Sequence, residues 1–275
     1  MLLAAAALAS LSACGGGDSG PVGIPQLTAA TPASFAGDCT TLPAVLTGLA
    51  NTTITAATTV AAGTVSNVVT AEHCRLVGRM NERVSTVDGN PYYIGFEIRM
   101  PKAWNGRFFY QANGGIDGSV VTATGPNSGG APVSNALQMG FAVISSDAGH
   151  SGPPWWGLDP QARLDYGYQA VGTLTPMAKN LIKSAYGKAP DRSYLAGCSN
   201  GGRHAMVGAS RYAEQYDGIL AGNPGFHLPK AATTQLWKAQ QYATVASKDA
   251  SGQPNLCKAI TTPKTELCDG VDNDC

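Results

Sequence analysis

Charge is what this 275-residue chain has least of: Asp, Glu, Lys and Arg together make up 13% of it, about half the share usual in globular proteins. Its eighteen basic and eighteen acidic residues cancel, and no Lys/Arg cluster occurs. Nothing is therefore available to hold a nucleic acid or an anionic membrane through a basic face. No apolar run reaches the roughly eighteen residues that a bilayer-spanning helix needs. Histidine is scarce too, with four in the chain, so few residues are available for proton transfer. What stands in place of charge is Gly, Ala, Thr and Ser over an ordinary apolar share of 44%, a balance expected of an exported chain. This length buries a sizeable core, either as one large domain or as a domain and part of a second.

Residues 1–13 form an apolar leader too short to span a bilayer, read as a signal peptide and set apart from the fold. The leader ends in Leu11-Ser12-Ala13-Cys14, followed by Gly15-Gly16-Gly17-Asp18-Ser19-Gly20. That tetrapeptide resembles the lipobox of bacterial lipoproteins, which makes Cys14 the expected lipidated residue and 14–34 a Gly/Pro/Thr-rich tether. An ordinary cleaved signal with an incidental Cys14 is the alternative. No Lys or Arg precedes Arg75, so the basic segment that opens such leaders is expected upstream. The localisation that follows is an exported, outer-membrane lipoprotein, periplasmic or at the cell surface, with plain secretion as the alternative. Setting Cys14 aside leaves six cysteines, which allow fifteen pairings that spacing does not separate. Cys39 with Cys74 is the pairing expected here, tying the N-terminal segment to the first strands.

Ordered structure is expected from Phe35 onward. Cys74 to Met80 and Tyr92 to Met100 read as strands joined through the turn Asp88-Gly89-Asn90-Pro91. In the second, Tyr93, Gly95, Glu97 and Arg99 alternate with apolar residues, which predicts one wet and one buried face. Arg107 to Gln111 is a short apolar strand running into Asn113-Gly114-Gly115-Ile116-Asp117-Gly118. Such a glycine-rich loop leaves backbone N–H groups free to face an anion. Leu137 to Asp147 is a buried strand ending at His150, and a Pro/Trp loop follows it. Leu174, Ala178, Leu181, Ile182 and Ala185 then mark one face of a helix that Thr175-Pro176 either starts or kinks. Asp191 to Ala196 supplies the next strand, Gly202 to Ala209 a helix of small residues, and Tyr216 to Ala221 another strand. Between that strand and that helix stands Gly197-Cys198-Ser199-Asn200-Gly201. The G-x-S-x-G spacing seats a serine on a sharp strand-to-helix turn, where its hydroxyl is open to an ester carbonyl. The alternation predicts an α/β fold with a mostly parallel sheet covered by helices, and a site at the carboxyl edge of its strands.

Several of these stretches together resemble the tannase and feruloyl esterase family of α/β-hydrolases. They are Met100-Pro101 with Trp104-Asn105-Gly106-Arg107-Phe108, Asn113-Gly114-Gly115, Ser146-Asp147-Ala148-Gly149-His150, Gly197 to Arg203, and Tyr216 to Pro224. Gly157 to Asp165 and the lipoprotein-like start resemble the bacterial branch that includes mono(hydroxyethyl) terephthalate hydrolase. The resemblance covers about residues 35–275. It implies that Ser199 is the nucleophile, that Gly114 or Gly115 and Asn200 supply backbone N–H groups to an oxyanion hole, and that Cys198 is bonded to a cysteine just before the catalytic histidine. It also implies that the triad acid and histidine come later, after a lid domain inserted beyond Pro224. Residues 35–227 are then the N-terminal part of a catalytic domain and 228–275 the start of the lid. On this reading the chain is an N-terminal fragment, not expected to be active alone.

None of the four histidines is expected to serve as the triad base. His73 is read as structural or solvated, His204 as lying on the surface of the helix that follows Ser199, and His227 as a hinge. His150 is read as touching substrate or orienting the oxyanion loop, with a structural hydrogen-bonding role as the alternative. In Cys268-Asp269-Gly270-Val271-Asp272-Asn273-Asp274-Cys275, three carboxylates within six residues suit a hard cation such as Ca²⁺. Asp269, Asp272 and Asp274 are the expected ligands of a structural calcium; a solvated acidic turn is the alternative. No organic cofactor is expected. The function read from the sequence is an exported serine carboxylic-ester hydrolase acting on feruloyl, galloyl or terephthaloyl esters. The rival readings are an acyltransferase and a non-catalytic calcium-binding surface lipoprotein on a hydrolase framework.

Overall fold

The computed structural model describes residues 27–35, 37–46, 49–126, 135–152, 154–248 and 250–252. The leader, Cys14 and the Asp269, Asp272 and Asp274 loop lie outside them. Seven strands build the central sheet. In chain order these are β1 (Thr52–Val60), β2 (His73–Val84), β3 (Pro91–Pro101), β4 (Arg107–Ala112), β5 (Ala142–Ser146), β6 (Arg192–Cys198) and β7 (Gly218–Gly222). Their spatial order is β7-β6-β4-β5-β3-β2-β1. β4 to β7 run parallel to one another, and β3, β2 and β1 continue antiparallel from β5. The sheet is therefore mixed: an antiparallel meander joined along β5 to a parallel half.

Helices α1 (Ala170–Tyr186), α2 (Asn200–Arg211) and α3 (Leu228–Val245) complete the main elements. Leu174, Ala178, Leu181 and Ile182 of α1 are fully buried, packed with Ile94, Phe96, Ile98 and Met100 of β3 and with Phe108, Tyr110 and Ile144. Pro176 lies inside α1, so it neither starts the helix nor ends it. On the opposite face of the sheet, Phe109, Val143 and Ala196 pack with Ala123, Ala136 and Leu137 from the long β4–β5 connection. None of α3 is buried. Among the described residues no helix is long and apolar enough to cross a membrane.

Two expectations change. The wet face predicted for β3 is buried at Gly95, Glu97 and Arg99. Period-two alternation sees only polarity, whereas here the carboxylate is sealed in by its partners. Glu97 accepts from Arg99 Nε and Arg75 Nε, each at 2.6 Å, and from the Ala123 N–H at 3.0 Å. His73 belongs to the same cluster: Arg99 donates to its Nε2 at 2.8 Å, so its Nδ1–H donates to the Ala71 carbonyl, also at 2.8 Å. Ordered structure also begins ahead of Phe35, because Ala33–Ser34 pairs antiparallel with Ala103–Trp104 and the Thr31 N–H reaches Asp191 Oδ2 at 2.7 Å. The Cys39–Cys74 disulfide is present as expected.

Candidate active site

β6 delivers Ser199 to the carboxyl edge of the sheet, and α2 leaves from it at once. Ser199 is exposed, with φ 57° and ψ −118°, a backbone region that costs a non-glycine residue about 1–3 kcal/mol. Neighbouring strands enforce that conformation. The Ser199 N–H donates to the Gly222 carbonyl at 3.0 Å, and its own carbonyl accepts from Arg203 and Gly225 at 3.0 and 3.2 Å. The flanking glycines are needed because backbone crowds them. A side-chain carbon at Gly197 would meet the Gly201 carbonyl carbon at 2.5 Å and the Ala112 oxygen at 2.6 Å. At Gly202 it would collide with the Gly222 oxygen and Pro224. The serine is thus wedged between the ends of β4 and β7.

The glycine-rich loop leaves β4 on the same side. Gly114 lies close enough that a side-chain carbon there would stand 3.7 Å from the Cys198 carbonyl, one residue before Ser199. Asn200 is the first residue of α2, so its N–H has no acceptor one turn back within the helix. The structure therefore brings together the elements that the sequence nominated at Ser199, Asn200, Gly114 and Gly115. Cys198, at the end of β6, is disulfide-bonded, but none of Cys257, Cys268 and Cys275 stands ahead of a histidine in this sequence, so this bond is not the one expected.

The histidines depart from expectation. His204 is 3% exposed and does not lie on a helix surface: α2 presses it against the sheet edge, where its Nε2 sits 2.8 Å from Asp117 Oδ2. His150 is 1% exposed, stacked on Trp156 with ring centroids 4.0 Å apart, and edge-on to Tyr166. It packs under the loop at Gly118, and burial holds its pKa below the ordinary value. His227 caps the start of α3 in a left-handed conformation. Among the described residues no hydrogen bond links a histidine to the Ser199 hydroxyl.

Two residues that the sequence did not nominate complete the floor of the site. The Asp117 side chain is 2% exposed and accepts from Asn200 Nδ2 at 2.6 Å as well as facing His204. Tyr166 donates to Asn200 Oδ1 at 3.0 Å from a π-helical turn, Asp165–Gln169, just before α1. Such turns break the helical period, so no hydrophobic pattern reveals where their side chains point. Beside them Asp147 accepts from the Gly95 and Gly149 N–H groups, and burial pushes its carboxyl up to about 7. Among the described residues no cluster of His, Cys, Asp or Glu is arranged to hold a metal ion.

Residues 74–275 match the family model described as tannase and feruloyl esterase. The mono(2-hydroxyethyl) terephthalate hydrolase of Piscinibacter sakaiensis is 40% identical over 231 residues, which are 77% of this chain and 38% of that protein. A probable feruloyl esterase B-2 of Neosartorya fischeri is 28% identical over 218 residues, covering 78% of this chain and 38% of that one. The crystal structure of feruloyl esterase B from Aspergillus oryzae superposes with a TM-score of 0.61 at 25% identity, over 79% of this chain and 42% of the other. The chain thus spans less than half the length of the relatives it matches. With a strand-to-helix serine turn on a mixed sheet and a family match across most of its residues, the chain belongs to the tannase and feruloyl esterase family and has the α/β-hydrolase fold.

Proposed function

We propose that this chain carries the nucleophile half of a serine carboxylic-ester hydrolase acting on aromatic acid esters. The observation that carries the reading is the exposed Ser199 held at φ 57° by the ends of its neighbouring strands. Strain of that kind persists only where the surroundings enforce it, and it gathers at reacting groups. Ser199 Oγ attacks the ester carbonyl, and the N–H groups of Asn200 and of Gly114 or Gly115 receive the negative charge that develops on the carbonyl oxygen. The alcohol leaves, and water then releases the acid from Ser199. The proton from Oγ passes to a histidine, held by an acid, from the part of the longer relatives that this chain does not span, and from it to the departing alcohol.

Feruloyl, galloyl and terephthaloyl esters all derive from aromatic acids whose ring is conjugated with the scissile carbonyl, directly or through a double bond, and the relatives' names include a terephthalate monoester hydrolase and a feruloyl esterase. In the same reading residues 228–275 open a lid domain, and residues 1–13 with Cys14 export and anchor the protein. Asp269, Asp272 and Asp274 would hold a structural calcium, a role that their all-oxygen donor set suits. The test is hydrolysis of methyl ferulate, methyl gallate and a terephthalate monoester by the full-length protein and by Ser199→Ala. The variant is expected to lose a factor on the order of 10⁴ or more in kcat/KM, while keeping its thermal midpoint, because Ala carries the same Cβ through the turn at φ 57°. Equal hydrolysis by both forms overturns the assignment.

A further inference from the structure

The two proposed oxyanion donors belong to different segments: Gly114 and Gly115 to the loop after β4, Asn200 to the start of α2. Their separation depends on whatever ties loop to helix, and the side-chain ties converge on one atom. Asp117 Oδ2 accepts from Asn200 Nδ2 at 2.6 Å and faces His204 Nε2 at 2.8 Å; a longer bond, from Asn200 Nδ2 to the Asn113 carbonyl, spans 3.5 Å.

Each side of this junction is itself fixed. On the loop side, Asp117 has φ 58°, its N–H donates to the Gly114 carbonyl at 3.4 Å, and the Gly118 N–H donates to the Asp147 carbonyl at 3.2 Å. On the helix side, Asn200 Oδ1 accepts from Tyr166 OH at 3.0 Å and Arg203 Nε at 2.8 Å, which leaves the Asn200 amide one orientation, with Nδ2 toward Asp117. His204 lies edge-on to the Tyr166 ring. Its Nδ1 is buried without a hydrogen-bond partner. With its proton on Nε2 the ring donates to the Asp117 carboxylate and leaves Nδ1 as a bare acceptor; Arg203 Nη2, 3.2 Å from Nε2, directs its own donation to the Tyr166 carbonyl at 3.1 Å.

We propose that Asp117 and His204 form a latch that sets the spacing of the oxyanion donors, acting as positioning residues for the hydrolysis proposed above, on which this inference rests. The chemistry needs such a part. The donors must meet the oxygen at the distance it takes up in the transition state, and a misplacement of about 1 Å costs on the order of 10²-fold in rate. A loose latch therefore lowers kcat and leaves KM, because the ground-state ester gains little from those N–H groups.

The experiment uses the full-length protein with methyl ferulate as substrate, an aryl boronic acid as a tetrahedral mimic and ferulate as product. His204→Leu fills the space without a donor, His204→Gln restores an N–H near the position of Nε2, and Asp117→Ala removes the acceptor. The expected result is a kcat lower by about 10- to 100-fold in His204→Leu and Asp117→Ala, with KM within about twofold. Boronate affinity falls in step while ferulate affinity holds. The double variant falls no further than Asp117→Ala, because Asp117 carries the contacts to both Asn200 and His204, and His204→Gln recovers to within about threefold of the parent. Thermal midpoints accompany every rate, and should one variant fail to fold, the other side of the latch carries the test. Ser199-dependent hydrolysis with kcat unchanged in both latch variants overturns the latch alone. So does a His204→Leu loss as deep as that of Ser199→Ala with no recovery in His204→Gln, which would make His204 the base. Hydrolysis that survives Ser199→Ala removes the serine reading and the latch with it.

Discussion

The antiparallel and parallel halves of the sheet are built on opposite terms. β1 to β3 are tied redundantly: the Cys39–Cys74 disulfide anchors β2, and Glu97, Arg99, Arg75 and His73 satisfy one another in a buried cluster. Non-glycine residues at positive φ occur in both halves, Asn51 and Asn81 at the meander and Ser199, Asp117 and Ala148 in the parallel half. The parallel half holds every buried side-chain polar atom that lacks a partner among the described residues: both ring nitrogens of His150, Trp156 Nε1 and His204 Nδ1. All of these side chains gather around Tyr166. Native interiors tolerate few such atoms, and strained backbone needs surroundings that enforce it. One half supplies that rigidity, and the other uses it to hold a strained turn.

Damage to the antiparallel half should therefore change stability and spare rate. The largest effect is expected from replacing both Cys39 and Cys74 by Ser. Their sequence separation of 35 corresponds to about 4 kcal/mol of unfolded-state restriction, read by chemical denaturation of the full-length protein, with kcat unchanged within about twofold. A parallel fall in kcat would break the division between the halves. Next comes Glu97→Gln. It leaves Arg99, 6% exposed, without its counter-charge and should cost about 3 kcal/mol, again in denaturation and not in rate. If the cost is as small as that of an exposed ion pair, the cluster is not what stiffens this half.

The contrast also explains what could be read from the sequence. Local features were legible: Gly197 and Gly201, which backbone crowds beside Ser199, and the apolar face of α1. Their chemistry is local, and a few residues of context determine it. The roles of Glu97 and His204 were not legible, since burial of a charged or titratable side chain depends on partners far away in sequence. Asp117 meets His204 across 87 positions, and Glu97 meets Ala123 across 26. Period-two and helical patterns rank such residues as solvated because polarity is all they weigh. The aromatic cluster of Trp156 and Tyr166 was hidden for a second reason, since a π-helical turn shifts the register on which helical spacing depends.

Asp147 sits on the seam between the halves and gives the smallest and most discriminating effect. It follows β5, and its Oδ1 accepts from Gly95 of β3 at 2.9 Å and from Gly149 of the site turn at 2.8 Å. Burial pushes its carboxyl up from the ordinary 3.8 to about 7. The folded chain thus binds this proton more tightly than the unfolded chain does. The contribution to stability is complete below the ordinary carboxylate value and is lost as pH rises through about 7, about 2 kcal/mol between pH 5 and 7. His150, whose pKa burial lowers, acts with the opposite sign, losing stability as pH falls. Asp147→Asn separates the two: it keeps the Oδ1 acceptor and removes the titration, so the slope of unfolding free energy against pH should flatten over that range, as denaturation at several pH values would show. If the slope is unchanged, the proton is not held at the seam. If it flattens and kcat holds, the parallel half draws its rigidity from the meander through the uncharged form of this residue.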